Sequence, residues 1–297
     1  MPELPEVERI RQSLSPGVLA KRVVGATLHR RDVLVVPGDP AGGFSRQRSG
    51  ASKPRRHEAR HLLVGTTVVD VRRLGKELAI VGETGDEGGA ARSVLLVRLG
   101  MTGQLVLLGP GARASKRDHI HATLKLEGGG RLLFRDPRRF GGLRAFENLE
   151  SLSERWSGLG PDALGVTGPV LRQRLGGSAR AIKAALLDQR VIAGVGNIYA
   201  DEALFESGIA PGRAAGSLSK GEALELASAI RAILARAIEA GGSSIRDYLD
   251  AGGVAGTAQT LHRVYGRGGL ACERCGGELA QILLAQRTTV FCPACQR

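Results

Sequence analysis

Four cysteines in the last 26 residues are spaced as metal ligands. They form two Cys-x2-Cys pairs, Cys272 with Cys275 and Cys292 with Cys295, separated by sixteen residues. Thiolates three positions apart on a tight turn can bind one ion, and two such turns complete the tetrahedron that zinc prefers. Because four thiolates leave no open coordination position, the pattern predicts one structural Zn²⁺ per chain. Two disulfides are the alternative, which a reducing cytoplasm disfavours.

The segment between the two cysteine pairs, residues 276–290, reads GGELAQILLAQRTTV. Its pattern predicts a β-hairpin, with Gln286 and Arg287 at the tip. A hairpin of this size has too little apolar core to fold alone, so the ion would hold it together. Structural zinc contributes about 10–16 kcal/mol in modules of this kind.

The chain as a whole is strongly basic, with a formal net charge of +13 over 297 residues. Residues 1–150 carry 26 Lys+Arg against 16 Asp+Glu, a net of +10. The excess predicts a polyanionic partner, nucleic acid rather than membrane; the alternative is a genome that favours arginine. No apolar run reaches the roughly 18 residues of a membrane span, and the acidic start is unlike a signal peptide. A cytoplasmic protein is therefore expected.

The elements that must position these residues divide the chain into two parts. Four segments rich in Val, Leu and Thr, separated by Gly-containing breaks, predict a β-sandwich: 22–36, 66–81, 93–108 and 121–134. One helix precedes them, with Pro5 in its first turn and apolar residues on one face at Val7, Ile10 and Leu14. Residues 43–61 form a basic loop.

The part after residue 150 is helical. Ser219 and Glu222 match a capping box, an apolar stripe at helical spacing follows over 226–237, and Gly241 and Gly242 end that helix. The fold class is therefore α+β.

Seven segments, in order along the chain, carry a resemblance to a known family. They are PELPEVE at 2–8, LGKELA at 74–79, RLGMTGQL at 98–105, DPRRFGG at 136–142, AIKAALLDQ at 181–189, IAGVGNIYADEALF at 192–205 and AQRTTVFCPACQ at 285–296. Together with the cysteine pairs they resemble bacterial formamidopyrimidine-DNA glycosylases over essentially the whole chain.

The resemblance implies an architecture and a partner. It implies an N-terminal catalytic β-sandwich domain with a leading helix over 1–150 and an interdomain hinge over 151–165. A helix–two-turn–helix DNA-binding domain with a lesion-recognition loop would follow over 166–261, the loop falling in 243–262, and a zinc finger over 262–297. The partner would be damaged double-stranded DNA, bound by a monomer that is associated with the nucleoid. The activity would be removal of oxidised purines, 8-oxoguanine and formamidopyrimidines, followed by strand cleavage.

The resemblance assigns the covalent chemistry to Pro2. A small second residue allows removal of Met1, which leaves Pro2 with a free secondary amine; α-amino groups have a pKa of about 7.7–8.0, so part of the population is uncharged at neutral pH. This amine would form a Schiff base with the sugar and drive β,δ-elimination. Glu3 would protonate the ring oxygen, and Lys76 would contact phosphate and assist the second elimination. Glu6 would anchor the N-terminus; the alternative is an acid that complements the helix dipole.

The resemblance also assigns DNA contacts. Met101 and Phe140 would fill the void left by the extruded nucleotide, as apolar wedges do in kinked duplexes, although core burial is the alternative for both. Arg138 would bond to the orphaned cytosine. Asn197 and Arg287 would clamp the phosphates that flank the lesion, together with Lys76, and Lys183 matches a position implicated in recognition of the purine lesion. Arg98, where the family usually has His, and His119 would also contact the DNA.

Three alternatives remain open. An endonuclease VIII-like glycosylase would act on oxidised pyrimidines, although Leu4 replaces the Gly typical of that branch. A catalytically silent DNA-binding homologue would keep the scaffold without the amine. A basic ribosome-associated zinc ribbon would explain the charge and the cysteines but not the first eight residues.

Overall fold

The computed structural model describes residues 2–39, 56–85, 91–114, 118–245 and 248–297. Most of the predicted basic loop, and Met1, lie outside these ranges; of the loop, Arg56–His61 forms a short 3-10 helix. The chain divides into two compact units. The first comprises Met1–Pro2, Glu6–Trp156 and Ser243–Gly256, and the second comprises Glu3–Pro5, Ser157–Gly242 and Thr257–Arg297. The domain boundaries expected from the sequence, at residues 150, 165 and 261, stay predictions, because the division into two units does not test them.

The first unit contains the predicted β-sandwich. Its described strands are β1 (Val23–Leu28), β2 (Leu34–Val35), β3 (Thr67–Leu74), β4 (Glu77–Thr84), β5 (Ala91–Arg98), β6 (Gln104–Leu108), β7 (Ile120–Leu126), β8 (Arg131–Arg135) and β9 (Gly142–Phe146). One sheet has the order β1-β7-β8-β6 and the other the order β2-β9-β5-β4-β3. All pairings are antiparallel except the short β2–β9 pairing.

Helix α1 (Leu4–Val18) leads the chain as predicted, with Pro5 in its first turn. Val7, Ile10 and Leu14 fall on one face because they recur at helical spacing, and all three are buried in the core that also contains residues of both sheets. Burial of each such side chain contributes about 1.5–3 kcal/mol, so this face fixes α1 to the sandwich. A short helix α2 (Leu149–Ser157) follows the last strand.

The second unit is helical, as predicted. It contains α3 (Gly168–Leu175), α4 (Ile182–Leu187), α5 (Asn197–Glu206) and α6 (Lys220–Glu239). The Ser219–Glu222 capping box is present in both directions at the start of α6. Gly241 and Gly242 have φ of 79° and 83°, and the Gly242 N–H bonds to the Ala237 carbonyl at 2.8 Å, which ends the helix in a left-handed turn.

The predicted finger hairpin is also present, in the second unit. Strands β10 (Ala280–Leu284) and β11 (Arg287–Phe291) pair antiparallel around a turn at Ala285 and Gln286, both at positive φ. The turn therefore lies one residue before the predicted tip, and Arg287 is the first residue of β11, paired with Leu284. Its apolar support is a small cluster around Phe205, Val264, Leu279 and Val290 with two of the cysteines. Within the described ranges, no helix is both long and apolar enough to cross a bilayer.

Candidate active site and nucleic-acid interface

Glu3 lies at the N-terminus of α5. Its carboxylate is 1% exposed and accepts the backbone N–H groups of Ile198 at 3.0 Å and Tyr199 at 3.5 Å. These are two of the N–H groups that a helix start leaves without an intrahelical partner. Gly196 permits this approach, because a Cβ there would lie 2.2 Å from the Glu3 carboxyl carbon. The helix start therefore holds and orients the carboxylate that follows Pro2, which is itself buried.

Glu6 contacts a different segment, within the first unit. Its Oε1 accepts the Ser243 N–H at 2.8 Å, and its backbone carbonyl accepts the Tyr248 hydroxyl at 3.1 Å. Burial raises the pKa of the Tyr248 phenol, so this group stays protonated and can donate. These two bonds fasten Ser243 and Tyr248, both within the predicted lesion-recognition loop, to Glu6 of α1. Anchoring of the N-terminus by Glu6 stays a prediction.

Lys76 is half-buried in the two-residue turn Gly75–Lys76 that joins β3 to β4. Gly75 has a φ of 56°, a left-handed conformation that glycine adopts without strain. The tight turn between β3 and β4 therefore fixes the position of the Lys76 backbone.

Met101, Arg138 and Phe140 lie on two loops of the first unit and are all exposed. Met101, 40% exposed, sits in the turn between β5 and β6, while Phe140, 45% exposed, sits in the loop between β8 and β9. The Arg138 guanidinium carbon lies 4.9 Å from the centroid of the Phe140 ring, a cation–π distance. Neither apolar side chain belongs to a core, which removes the burial alternative raised from the sequence.

The two loops are joined by Thr102 and Asp136. The Thr102 hydroxyl donates to Asp136 Oδ1 at 2.6 Å and accepts the Arg138 N–H at 3.2 Å. Asp136, which has no exposed surface, also accepts the Gly141 N–H on Oδ2 at 2.8 Å. We call these bonds the loop clasp. It makes one rigid surface out of segments 34 residues apart.

Glycine backbones allow the same two loops to touch. A Cβ on Gly100 would lie 2.4 Å from the Gly141 nitrogen, and a Cβ on Gly141 would lie 2.4 Å from the Arg98 carbonyl oxygen. Neither contact leaves room for a side chain. Gly100 and Gly141 are therefore required by the close approach of the two loop backbones.

Arg98 and His119 are exposed at the edges of this loop pair. Arg98 ends β5, and His119 has a φ of 62° while its carbonyl accepts the Asp136 N–H at 3.0 Å. His119 is thus tied to the residue at the centre of the loop clasp. Both side chains are exposed, and their predicted DNA contacts remain predictions.

Lys183 is buried, whereas the sequence predicts that it contacts DNA. It has no exposed surface, and its ammonium lies 2.7 Å from Asp201 Oδ1, 2.8 Å from Thr289 Oγ1 and 3.1 Å from the Thr288 carbonyl. Burial raises the pKa of the Asp201 carboxyl to about 6 and lowers the pKa of the Lys183 ammonium, while their mutual attraction opposes both shifts. Burial leaves Lys183 no surface for DNA in this arrangement, so its predicted DNA contact is unsupported and stays a prediction.

Asn197 and Arg287 both lie next to Thr288, whose carbonyl accepts from Lys183, and both belong to the same unit. Asn197 is half-buried as the first residue of α5, and its Nδ2 donates to the Thr288 carbonyl at 3.1 Å. Arg287 is exposed as the first residue of β11, next to Thr288. Asn197 is therefore hydrogen-bonded to the residue that follows Arg287 in the chain.

The four cysteines converge as a metal site. Their sulfur atoms all lie within 4.8 Å of one another, and among the described residues no other group of His, Cys, Asp and Glu converges in this way. With a Zn–S bond of about 2.3 Å, the edge of a tetrahedron of sulfurs is about 3.8 Å, so the cluster fits zinc. The ligand set supports the predicted structural Zn²⁺.

Sequence reasoning missed Thr102, Asp201 and Thr289 as supporting residues. Each acts through a contact with a distant segment, and no local pattern marks such a contact. For Asp201, the available signal was a pair of adjacent acids, Asp201 and Glu202, inside a largely apolar helix, IYADEALF.

Comparisons with known proteins cover the whole chain. Residues 1–143 match the formamidopyrimidine-DNA glycosylase N-terminal domain, residues 158–248 the formamidopyrimidine-DNA glycosylase H2TH domain, and residues 269–297 the zinc finger found in FPG and IleRS. The formamidopyrimidine-DNA glycosylases of Cereibacter sphaeroides and Desulfitobacterium hafniense are each 41% identical, with 100% of both chains covered.

Solved structures agree with these sequence matches. The MutM (FPG) protein of Thermus thermophilus superposes with a TM-score of 0.79 at 38% identity, covering 99% of this chain and 98% of that one. The Lactococcus lactis Fpg in complex with an abasic site containing DNA superposes with a TM-score of 0.81 at 30% identity, covering 100% of both chains.

Proposed function

The chain belongs to the formamidopyrimidine-DNA glycosylase family, and from that membership we propose that it excises oxidised purines from double-stranded DNA and then cleaves the strand. The observation that carries the proposal is the Glu3 carboxylate, buried and held by the start of α5 one peptide bond after Pro2.

The proposed nucleophile is the Pro2 nitrogen after removal of Met1. Its lone pair attacks C1′ of the damaged nucleotide, the glycosidic bond breaks, and the base leaves with a proton. Opening of the sugar ring at O4′ then converts C1′ into an iminium carbon. The iminium acidifies C2′, so loss of a C2′ proton expels the 3′ phosphate by β-elimination. A second elimination expels the 5′ phosphate. An α-amine is suited to this because its pKa of about 7.7–8.0 leaves a reactive fraction at neutral pH.

Glu3 would act as the general acid on the sugar ring oxygen. Proton transfer to that oxygen opens the ring and makes C1′ an iminium carbon. Because the helix start fixes both carboxylate oxygens, the acid is placed by the backbone of α5 rather than by a mobile loop. General acids contribute about 10²–10⁴-fold to such steps.

Replacing Glu3 with Gln is expected to lower the single-turnover excision rate by about 10²-fold or more. The amide keeps the shape and can still accept the Ile198 N–H, but it cannot supply a proton. Binding to undamaged duplex should stay within about twofold. Excision by Glu3→Gln at the wild-type rate would remove Glu3 from the chemistry.

The first unit would supply the residues that replace the extruded nucleotide. Flipping a base costs a few kcal/mol, which apolar wedges can offset by filling the gap in the stack. Met101 and Phe140 are exposed apolar residues on loops held rigid by the loop clasp. We propose that they enter the duplex and that Arg138 bonds to the orphaned cytosine.

A Thr102→Val variant tests whether the loop clasp matters. It removes the hydroxyl but keeps the shape, so it leaves buried Asp136 without one partner, at about 1–3 kcal/mol of folding stability. The rate of 8-oxoguanine excision should fall about tenfold while non-specific duplex binding is retained. Thr84→Val, which removes a hydroxyl at the end of β4, is the matched control. Equal losses of excision and binding would argue against a role in base extrusion.

Backbone phosphates would be bound by Lys76, Arg98, His119, Asn197 and Arg287. The net charge of +13 supports such binding, because each neutralised phosphate releases counterions and makes affinity salt-dependent. We propose that the protein acts as a monomer on nucleoid DNA in the cytoplasm, which sedimentation of the protein–duplex complex would check.

A substrate panel tests the proposed function. The protein should excise 8-oxoguanine and formamidopyrimidine opposite cytosine faster than thymine glycol or dihydrouracil. Preference for the oxidised pyrimidines would indicate the endonuclease VIII-like activity instead. Binding without excision of any lesion would indicate a silent homologue.

A further inference from the structure

The buried Lys183–Asp201 pair is the one ion pair among the described residues in which neither side chain has more than 1% exposure. Such burial is costly unless every donor finds an acceptor. Here the ammonium donates hydrogen bonds to Thr289 Oγ1 and the Thr288 carbonyl, and it forms an ion pair with Asp201 Oδ1 at 2.7 Å. The ammonium of Lys183 is therefore engaged within the protein and is not available to a ligand. We call Lys183, Asp201, Thr288 and Thr289 the junction.

Three chain segments meet at this junction. Lys183 comes from α4, Asp201 from α5, and the acceptors Thr288 and Thr289 from β11 of the finger hairpin. The second carboxylate oxygen of Asp201 accepts the Val290 N–H at 3.2 Å. Asp201 thus contacts β11 both directly and through Lys183, and all of these residues lie in the second unit.

The junction connects the two predicted phosphate ligands. Asn197 donates to the same Thr288 carbonyl that accepts from Lys183, and Arg287 is the residue before Thr288. The hairpin's other support is a small apolar cluster and the metal site. Apolar contacts tolerate sliding, whereas these hydrogen bonds fix the register of β11 against α5.

We propose that Lys183 and Asp201 are positioning residues that lock β11 against α5, so that Asn197 and Arg287 bind the DNA backbone as one rigid unit. Lys183 then acts without touching DNA. This inference rests on the proposed function only in that the protein binds duplex DNA; it does not depend on excision.

Asp201→Asn separates this role from direct contact by Lys183. Removal of the carboxylate loosens the lock, so affinity for an undamaged duplex should fall about tenfold at fixed salt. The plot of the logarithm of the binding constant against the logarithm of the salt concentration should become shallower. Its slope should decrease in magnitude by about 0.9, the value for one lost phosphate contact. If Lys183 contacts DNA directly, Asp201→Asn would free it and leave affinity unchanged or increased, which would overturn the proposal.

A double-mutant cycle with Arg287 gives the second test. Lys183→Met and Arg287→Ala should each weaken binding about tenfold, and combining them should add little, because both remove the same phosphate contact. Additive losses would mean that Lys183 acts independently of Arg287 and would overturn the proposal. Lys220→Met removes one positive charge from an exposed lysine at the start of α6 and serves as the charge control. Its effects on the affinity and on the salt slope should both be smaller than those of Lys183→Met.

The double variant Lys183→Met with Asp201→Leu covers the case in which the single variants fail to fold. Apolar replacement of a buried ion pair often retains stability. It should retain zinc and a wild-type Tm, yet show the reduced salt slope, because apolar side chains cannot fix the register. A wild-type slope in this variant would overturn the proposal. Failure of the wild-type protein to excise 8-oxoguanine would count against the proposed function alone, since every measurement here uses undamaged duplex.

Discussion

Insertion of one alanine between Met1 and Pro2 is expected to lower the rate of base excision by at least about 10³-fold, a barrier increase of about 4 kcal/mol. The Pro2 nitrogen becomes an amide and loses its basic lone pair. The new terminal amine is displaced by up to about 3.6 Å, while misplacement by about 1 Å can already cost 10²-fold. Single-turnover cleavage of an 8-oxoguanine duplex measures the effect.

Pro2→Gly is the matched control for this insertion. It keeps a terminal amine at the correct position and should retain measurable excision, although a primary amine on a more flexible residue will react more slowly. Both variants should bind undamaged duplex like the wild type. Excision by the insertion variant at more than about a tenth of the wild-type rate would rule out the assignment of the nucleophile.

Loss of zinc is expected to have the second large effect. Cys292→Ser removes a buried ligand, and structural zinc contributes about 10–16 kcal/mol to modules of this kind. Without the metal, the β10–β11 hairpin has only its small apolar cluster and the hydrogen bonds of β11 to Lys183, Asn197 and Asp201, and it should unfold. Arg287 would then be lost from the DNA surface, and β11 from its junction with Lys183. Duplex affinity should fall by at least about 10²-fold, with metal content falling from one Zn²⁺ per chain to none.

Ala294→Ser is the control for the zinc variant. It introduces the same hydroxyl at an exposed position between the ligands Cys292 and Cys295 and should retain both metal and affinity. Retention of wild-type duplex affinity by a zinc-free Cys292→Ser protein would show that the finger is dispensable for binding.

Features that depend on local spacing were predictable from the sequence. The cysteine pairs predicted the sulfur cluster because the ligands of each pair lie within one turn. The Ser219–Glu222 capping box and the buried face of α1 were predictable because helical geometry relates residues three and four apart. The hairpin between the cysteines followed from its length and its apolar pattern.

Features that depend on long-range contacts were not predictable. The loop clasp joins Thr102 to Asp136, and the ammonium of Lys183 reaches Thr289, 106 residues away. A lysine in a basic protein predicts a phosphate contact, and only the position of Asp201 and β11 shows that this lysine is buried. In the same way, residues 243–256 follow a helix of the second unit but belong with the first, fastened by Glu6.

Borohydride reduction during reaction with an 8-oxoguanine:cytosine duplex tests most directly whether Pro2 is the nucleophile. We expect a covalent protein–DNA adduct, with mass spectrometry of the proteolysed adduct locating the link at the nitrogen of Pro2 in a chain that has lost Met1. An adduct located on the side chain of Lys76 or another lysine, or efficient excision by a protein that still carries Met1, would refute the assignment.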